Sequence, residues 1–179
     1  MKHLFLGLLL TASFMMFGES RPWNLLPSLG DTSTRPDGFS WHVNPPLNKK
    51  YAQIITAVAD KEQGKLSIRR NAEKNGDAAW RSVIPLSPGV YTIDVQVTAQ
   101  GKMGVDIYGF DANKKAKALF LLTRTDETFR LTRQFTVPES VVKARLGLTI
   151  YNQCQAEFVK PGIYPGKLTA EQIDALEQK

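Results

Sequence analysis

The strongest constraint on this sequence is alternation. Apolar and polar residues exchange every second position through most of its length, in short runs closed by turn residues. In residues 90–99, Tyr91, Ile93, Val95 and Val97 share one parity, and Thr92, Asp94, Gln96 and Thr98 share the other. Successive side chains of an extended strand point to opposite faces, so the first set faces a core and the second faces away. After Gln100-Gly101-Lys102, residues 103–110 alternate Val105 and Ile107 with Asp106 and Tyr108. In residues 128–137, Phe129, Leu131, Phe135 and Val137 point one way and Arg130, Thr132 and Gln134 the other. Arg133 interrupts the apolar side, as expected of an edge or partly exposed strand. Residues 143–151 place Leu146, Leu148 and Ile150 inward, with Arg145, Gly147, Thr149 and Tyr151 outward. Shorter runs at 54–59, 65–70, 79–84 and 116–123 complete the pattern, with Gly64, Asn75-Gly76, Ser87-Pro88-Gly89 and Asp111-Ala112-Asn113 as breaks. Such strands predict an all-β sandwich.

Helix is expected only near the end. Thr169 is an N-cap with Gln172 three residues on, the two halves of a capping box, and Ile173 and Leu176 form a small apolar stripe. A helix of about two turns does not hold without docking. At the other end, Lys2 and His3 precede an uncharged, mostly apolar run at 4–17, shorter than the roughly 20 residues that span a bilayer. Gly18 and Ser20 place small residues before a cut after Ser20, so residues 1–20 read as a secretory signal. The expected product is secreted or periplasmic, with no transmembrane segment after cleavage: a domain over 21–166 and a helical tail over 167–179.

Residue counts remove several classes of function. The one cysteine, Cys154, excludes an internal disulfide, and His42 is the one histidine beyond the signal, so a multi-histidine metal site is excluded. The 23 Lys and Arg residues against 17 Asp and Glu give +6, which favours contact with anionic surfaces. The basic residues are dispersed, so no nucleic-acid partner is expected. Catalysis is not expected either. His42 near Ser40 lacks a nucleophile elbow, and Cys154 without a paired histidine reads as a small buried residue. A glycosidase needs two carboxylates ~5–9.5 Å apart. Asp94 and Asp106 are the pair that could meet across a hairpin, but nothing in the sequence raises the pKa of either.

Several segments, in order, resemble one family. They are Asn24-Leu25-Leu26-Pro27, Gly38-Phe39-Ser40-Trp41, Gly64-Lys65-Leu66-Ser67-Ile68, Pro85-Leu86-Ser87-Pro88-Gly89-Val90-Tyr91-Thr92, Phe110-Asp111-Ala112-Asn113, and the run from Phe129 to Pro138. Together, over roughly residues 23–160, they look like the jelly-roll carbohydrate-binding modules that include the cellulose- and xylan-binding families 4, 9 and 22. The resemblance implies a jelly-roll β-sandwich of two antiparallel sheets and a non-catalytic role in binding a polysaccharide or glycan. Many relatives carry a structural Ca²⁺ near a closing acidic pair. Here Glu157-Phe158-Val159 runs into Lys160-Pro161-Gly162 instead, so no cofactor is expected, and a structural Ca²⁺ is the one candidate.

Sugar recognition needs aromatic faces for stacking and planar polar side chains that bridge hydroxyls. The resemblance suggests a stacking role for Trp80, whose alternative is packing at the sandwich edge. Outward parity nominates Tyr108, Tyr151, Asp94, Gln96, Asp106, Arg130 and Gln134, and Glu157 is placed just before the last strand. Trp23 and Trp41 read as structural. The rival to glycan binding is an accessory domain of the cell envelope that docks a protein, with Ile173 and Leu176 at the contact.

Overall fold

The computed structural model describes residues 40–44 (backbone only), 55–60, 62–71 and 76–178. The signal at 1–20, the Asn24-Leu25-Leu26-Pro27 and Gly38-Phe39 motif residues, and Trp23 lie outside the described residues. Ten strands form two antiparallel sheets of five. They are β1 (Ser40–Asn44), β2 (Ile55–Asp60), β3 (Lys65–Arg70), β4 (Asp77–Ile84), β5 (Gly89–Gln100), β6 (Lys102–Phe110), β7 (Ala116–Thr125), β8 (Thr128–Val137), β9 (Lys143–Tyr151) and β10 (Cys154–Pro165), followed by α1 (Ala170–Glu177). One sheet runs β1-β4-β9-β6-β7 and the other β2-β3-β10-β5-β8. This is the expected jelly-roll sandwich, and we call the sheets the β9 sheet and the β10 sheet after their central strands.

The inward parities meet between the sheets. Trp80, Met103, Val105, Ile107, Leu146, Leu148 and Ile150 from the β9 sheet pack on Leu66, Ile68, Ile93, Val95, Val97 and Phe158 from the β10 sheet. Edge strand β8 carries the exposed Arg133, as its interrupted parity predicts. Cys154 is buried, and burial pushes its thiol up to about 11, so it stays a packed, unreactive thiol near neutrality.

Strand β10 differs from expectation. Glu157 lies inside it rather than before it, paired with Ser67 and Thr98. Proline lacks a ladder donor, so Lys160-Pro161-Gly162 interrupts regular pairing. The strand passes these residues in a bulge between Val159 and Gly162, with Lys160 at φ 49° and its N–H donating to Gly64 O at 2.8 Å.

The tail docks on its own domain. Thr169 and Gln172 form the expected capping box, and Ile173 is 1% exposed. Thr92 Oγ1 donates to Gly166 O (2.8 Å) and accepts from Leu168 N–H (3.0 Å), and Tyr164 Oη donates to Glu177 Oε1 (3.0 Å). Ile173 therefore fills an intramolecular contact, which corrects its assignment to a partner surface. Among the described residues no helix is long and apolar enough to cross a membrane.

Candidate functional site

The nine residues nominated from the sequence separate into three places. Trp80 is 0% exposed in the core, and its indole Nε1–H donates to Ser67 O at 3.0 Å, tying β4 of one sheet to β3 of the other. With no ring face open to a ligand, it cannot stack on sugar, and that assignment is corrected. Asp94, Gln96, Arg130, Gln134 and Glu157 lie on the outer face of the β10 sheet. Asp106, Tyr108 and Tyr151 lie on the outer face of the β9 sheet. Consecutive strands β5 and β6 enter different sheets, so Asp94 and Asp106 stand on opposite sides of the molecule and form no carboxylate pair.

The β10-sheet face is largely committed to structure. Arg130 grips Asp94 with Nε (3.0 Å) and Nη2 (3.0 Å), and grips Asp174 of α1 with Nη1 (2.9 Å) and Nη2 (2.8 Å). Those bonds, to Asp174 first and then Asp94, raise the Arg130 pKa further and hold it charged. Thr132 Oγ1 donates to Asp94 Oδ1 at 2.5 Å, and Glu157 pairs with Lys65 at 3.5 Å. Tyr164 is buried beneath the helix. Gln96 and Gln134 are exposed, with no half-exposed aromatic ring beside them on this face among the described residues.

The β9-sheet face is built differently. Its outward positions fall in register across the strands: Ala79 opposite Thr149 opposite Gly104, then Arg81 opposite Gly147 opposite Asp106 opposite Leu121, then Val83 opposite Arg145 opposite Tyr108. His42 of β1 holds the register position opposite Ala79. Ala79, Gly104 and Gly147 make a floor of small residues across the strands, and that floor is buried, Gly104 under Tyr151 and Gly147 under Asp106. Tyr151 stands on one side of it and the Tyr108–Arg145 pair on the other, about 20 Å away along β9 at ~3.4 Å per residue.

The glycines are required where they sit. A Cβ at Gly104 would lie 3.1 Å from Tyr151 Oη, so the tyrosine leans across the floor there. A Cβ at Gly147 would collide with the Asp106 carboxylate, which lies over that position and accepts from Thr149 Oγ1 at 3.0 Å. Tyr108, Phe110 and Tyr151 are half-buried, each with a cation near its ring. Arg145 Cζ is 5.4 Å from the Tyr108 centroid and 5.5 Å from that of Phe110, Lys102 Nζ is 5.4 Å from that of Tyr151, and Lys143 Nζ is 5.8 Å from that of Phe110.

Burial raises the Asp106 pKa, opposed by the Thr149 hydrogen bond and by the charges of Arg145 and Arg81. Burial also raises that of Tyr151, with the charges of Asp106, Asp77 and Tyr108 adding to it. A raised folded-state pKa on an acid means the folded protein keeps its proton while the unfolded chain releases it. Stability is therefore lost as pH rises through that interval. Asp106→Asn removes the charge and keeps an oxygen for Thr149. Its melting temperature should exceed the parent's at pH 7, and the two should converge below the ordinary aspartate pKa, as read by thermal scans across pH. A lower melting temperature for Asp106→Asn at pH 7 would overturn that electrostatic account.

Arg81, Arg145, Phe110, Gly104 and Gly147 complete this face and were not singled out from the sequence. Their signal was outward parity shared with Tyr108 and Tyr151. Among the described residues no group of three or more His, Cys, Asp or Glu side chains could hold a metal ion.

No protein-family model matches the sequence, and comparison with curated proteins gives no match. Solved structures do resemble it. The enzymatically active domain of tailspike protein 4 of bacteriophage CBA120 matches with TM-score 0.61 and 8% identity, over 82% of this chain and 22% of that one. A family 61 carbohydrate-binding module in complex with β-1,4-galactotriose matches at 0.52 and 9% identity, over 80% of this chain and 99% of that one. The CBM22-1 xylan-binding domain from Paenibacillus barcinonensis matches at 0.52 and 12% identity, over 82% and 97%. The fold is that of the carbohydrate-binding modules. At these identities the likeness speaks to fold alone.

Proposed function

We propose that the protein is a secreted, non-catalytic module that binds a polysaccharide or glycan across the outer face of the β9 sheet. The observation that carries this reading is the set of half-buried rings on that face, Tyr108, Phe110 and Tyr151, with Asp106 and Arg145 beside them. The tyrosine rings offer apolar faces for axial C–H groups. Asp106, Thr149, Arg81 and Arg145 supply the polar atoms that fix orientation. The solved neighbours include modules described as binding xylan and β-1,4-galactotriose, which agrees with this class of ligand.

Catalysis has no place in this reading. The Asp94–Asp106 pair is split between opposite faces, Asp106 is engaged by Thr149, and Asp77 pairs with Arg81 at 3.8 Å. Of the two contact residues of the rival protein-docking function, Ile173 is buried against the domain itself and Leu176 is half-buried, which favours the glycan reading.

Affinity gel electrophoresis with xylan, β-1,4-galactan and polygalacturonate tests the proposal. Retardation by at least one polymer is expected, with Tyr108→Ala and Tyr151→Ala each weakening binding about tenfold, roughly 1.4 kcal/mol. Both rings are half-exposed, so both variants should keep the parent's melting temperature to within a few degrees. Unaltered retardation in both would remove the site from this face.

A further inference from the structure

We propose that the sugar taken by this face carries an anionic group, a carboxylate or a sulfate, and that Arg145 reads it. The inference rests on the sugar-binding function proposed above and adds the chemical class of ligand.

Four cations and two carboxylates belong to the face: Arg81, Lys102, Lys143 and Arg145 against Asp77 and Asp106. Arg81 is held by Asp77. Arg145, Lys102 and Lys143 form no ion pair among the described residues and lie against aromatic rings instead. Two of them, Arg145 and Lys143, lie within 5.5 and 5.8 Å of the same Phe110 ring. Like charges on one face produce a repulsion that salt screens only in part. An anion between them removes it.

Arg145 is also prepared for such a ligand. Its Nε is buried and has no hydrogen-bond partner among the described residues. A solvent-excluded Nε is out of a ligand's reach, so the guanidinium offers its Nη edge, and a carboxylate or sulfate oxygen pair is the acceptor which that edge fits best, with two parallel charge-assisted bonds. Tyr108 and Phe110 hold the guanidinium from its sides, so little ordering is needed on binding. A neutral sugar could satisfy one donor with a hydroxyl but would leave Arg145, Lys102 and Lys143 without an ion pair among the described residues. The chain's net charge of +6 favours approach of a polyanion as well.

The test uses three polymers on the full protein: polygalacturonate, its fully methyl-esterified form, and dextran sulfate. The esterified polymer has the same backbone without charge, and the sulfate polymer separates the two anionic sources. Isothermal titration should show polygalacturonate or dextran sulfate binding about tenfold or more tighter than the ester, and Arg145→Gln should lose about tenfold of that affinity. Arg145→Lys, which keeps charge without the fork, should fall between. Arg133→Gln, on the other sheet, should leave affinity unchanged.

Equal affinity for the ester and the acid overturns the inference, as does an Arg133→Gln loss as large as that of Arg145→Gln, which would mean diffuse charge. Should Arg145→Gln fail to fold, Lys143→Gln carries the same comparison with a loss of a few-fold expected and no loss overturning it. Tyr108-dependent binding of xylan or β-1,4-galactan without any binding of the acidic polymers would end the anion inference and leave the sugar-binding function standing. Silence from every polymer would end both.

Discussion

Trp80→Ala should be the most destabilising single change in the domain, costing about 3–5 kcal/mol, the range for truncating a buried Trp or Phe. Trp80 is 0% exposed and the largest of the fully buried side chains. Its removal leaves a cavity between β4 and β9 on one side and β3 on the other. It also deletes the indole hydrogen bond to Ser67 O, which joins the two sheets. Domains of this size are typically stable by only about 5–15 kcal/mol, so the variant should melt on the order of 10–20 °C lower. Trp80→Phe keeps most of the packing and loses the hydrogen bond, so a loss of only about 1–2 kcal/mol is expected. Urea unfolding monitored by far-UV circular dichroism measures both. A Trp80→Ala variant as stable as the parent, with weakened glycan binding, would restore the residue to the binding site.

Arg130→Met should rank second and should act locally first. The guanidinium joins Asp94, whose side chain is 6% exposed, to Asp174 of α1. Removing it leaves a buried carboxylate with Thr132 as its remaining side-chain donor. Breaking a fully buried pair in this way costs 3–5 kcal/mol. The Arg130 side chain is 27% exposed, and water can reach the gap, so about 2 kcal/mol is expected. Helix α1 is too short to stand alone, and Ile173 with the Tyr164–Glu177 bond would then hold it. Its amides should exchange with deuterium about tenfold or more faster than in the parent, while those of β9 stay protected. Arg130→Met combined with Asp94→Asn should recover much of the lost stability. Unchanged exchange in α1 would show that the clamp contributes nothing to docking.

These two residues also show what the sequence could reveal and where it could not. Period two placed the strand at 90–99 within a residue or so of β5, and Thr169 with Gln172 located the helix start, because both signals are local. The same period showed that Asp94, Asp106, Tyr108, Arg130 and Tyr151 point outward. It could not say from which sheet, because partner choice depends on contacts distant in sequence. The turn at Gly101 carries the chain across the sandwich rather than into a hairpin, and that separates Asp94 from Asp106.

Trp80 was misread from another cause. The family resemblance suggested a stacking role, with packing at the sandwich edge as its alternative, and the structure buries the ring in the core. The site's small residues were the least visible. Gly104 and Gly147 matter for what they admit, the Tyr151 ring and the Asp106 carboxylate, and that is a property of neighbours rather than of a motif. In β10 Glu157 was set before the last strand, whereas the strand runs from Cys154 to Pro165 and passes Pro161 in a bulge that needs no donor from proline.

The most direct test is to map a bound oligosaccharide by amide chemical shifts. The ¹⁵N-labelled protein is titrated with xylohexaose, β-1,4-galactotriose and trigalacturonate in turn. The predicted result is saturable shifts confined to Asp77–Ile84, Lys102–Phe110 and Lys143–Tyr151, centred on Gly104 and Gly147. Shifts centred instead on β5, β8 and α1 would contradict the assignment of the binding face.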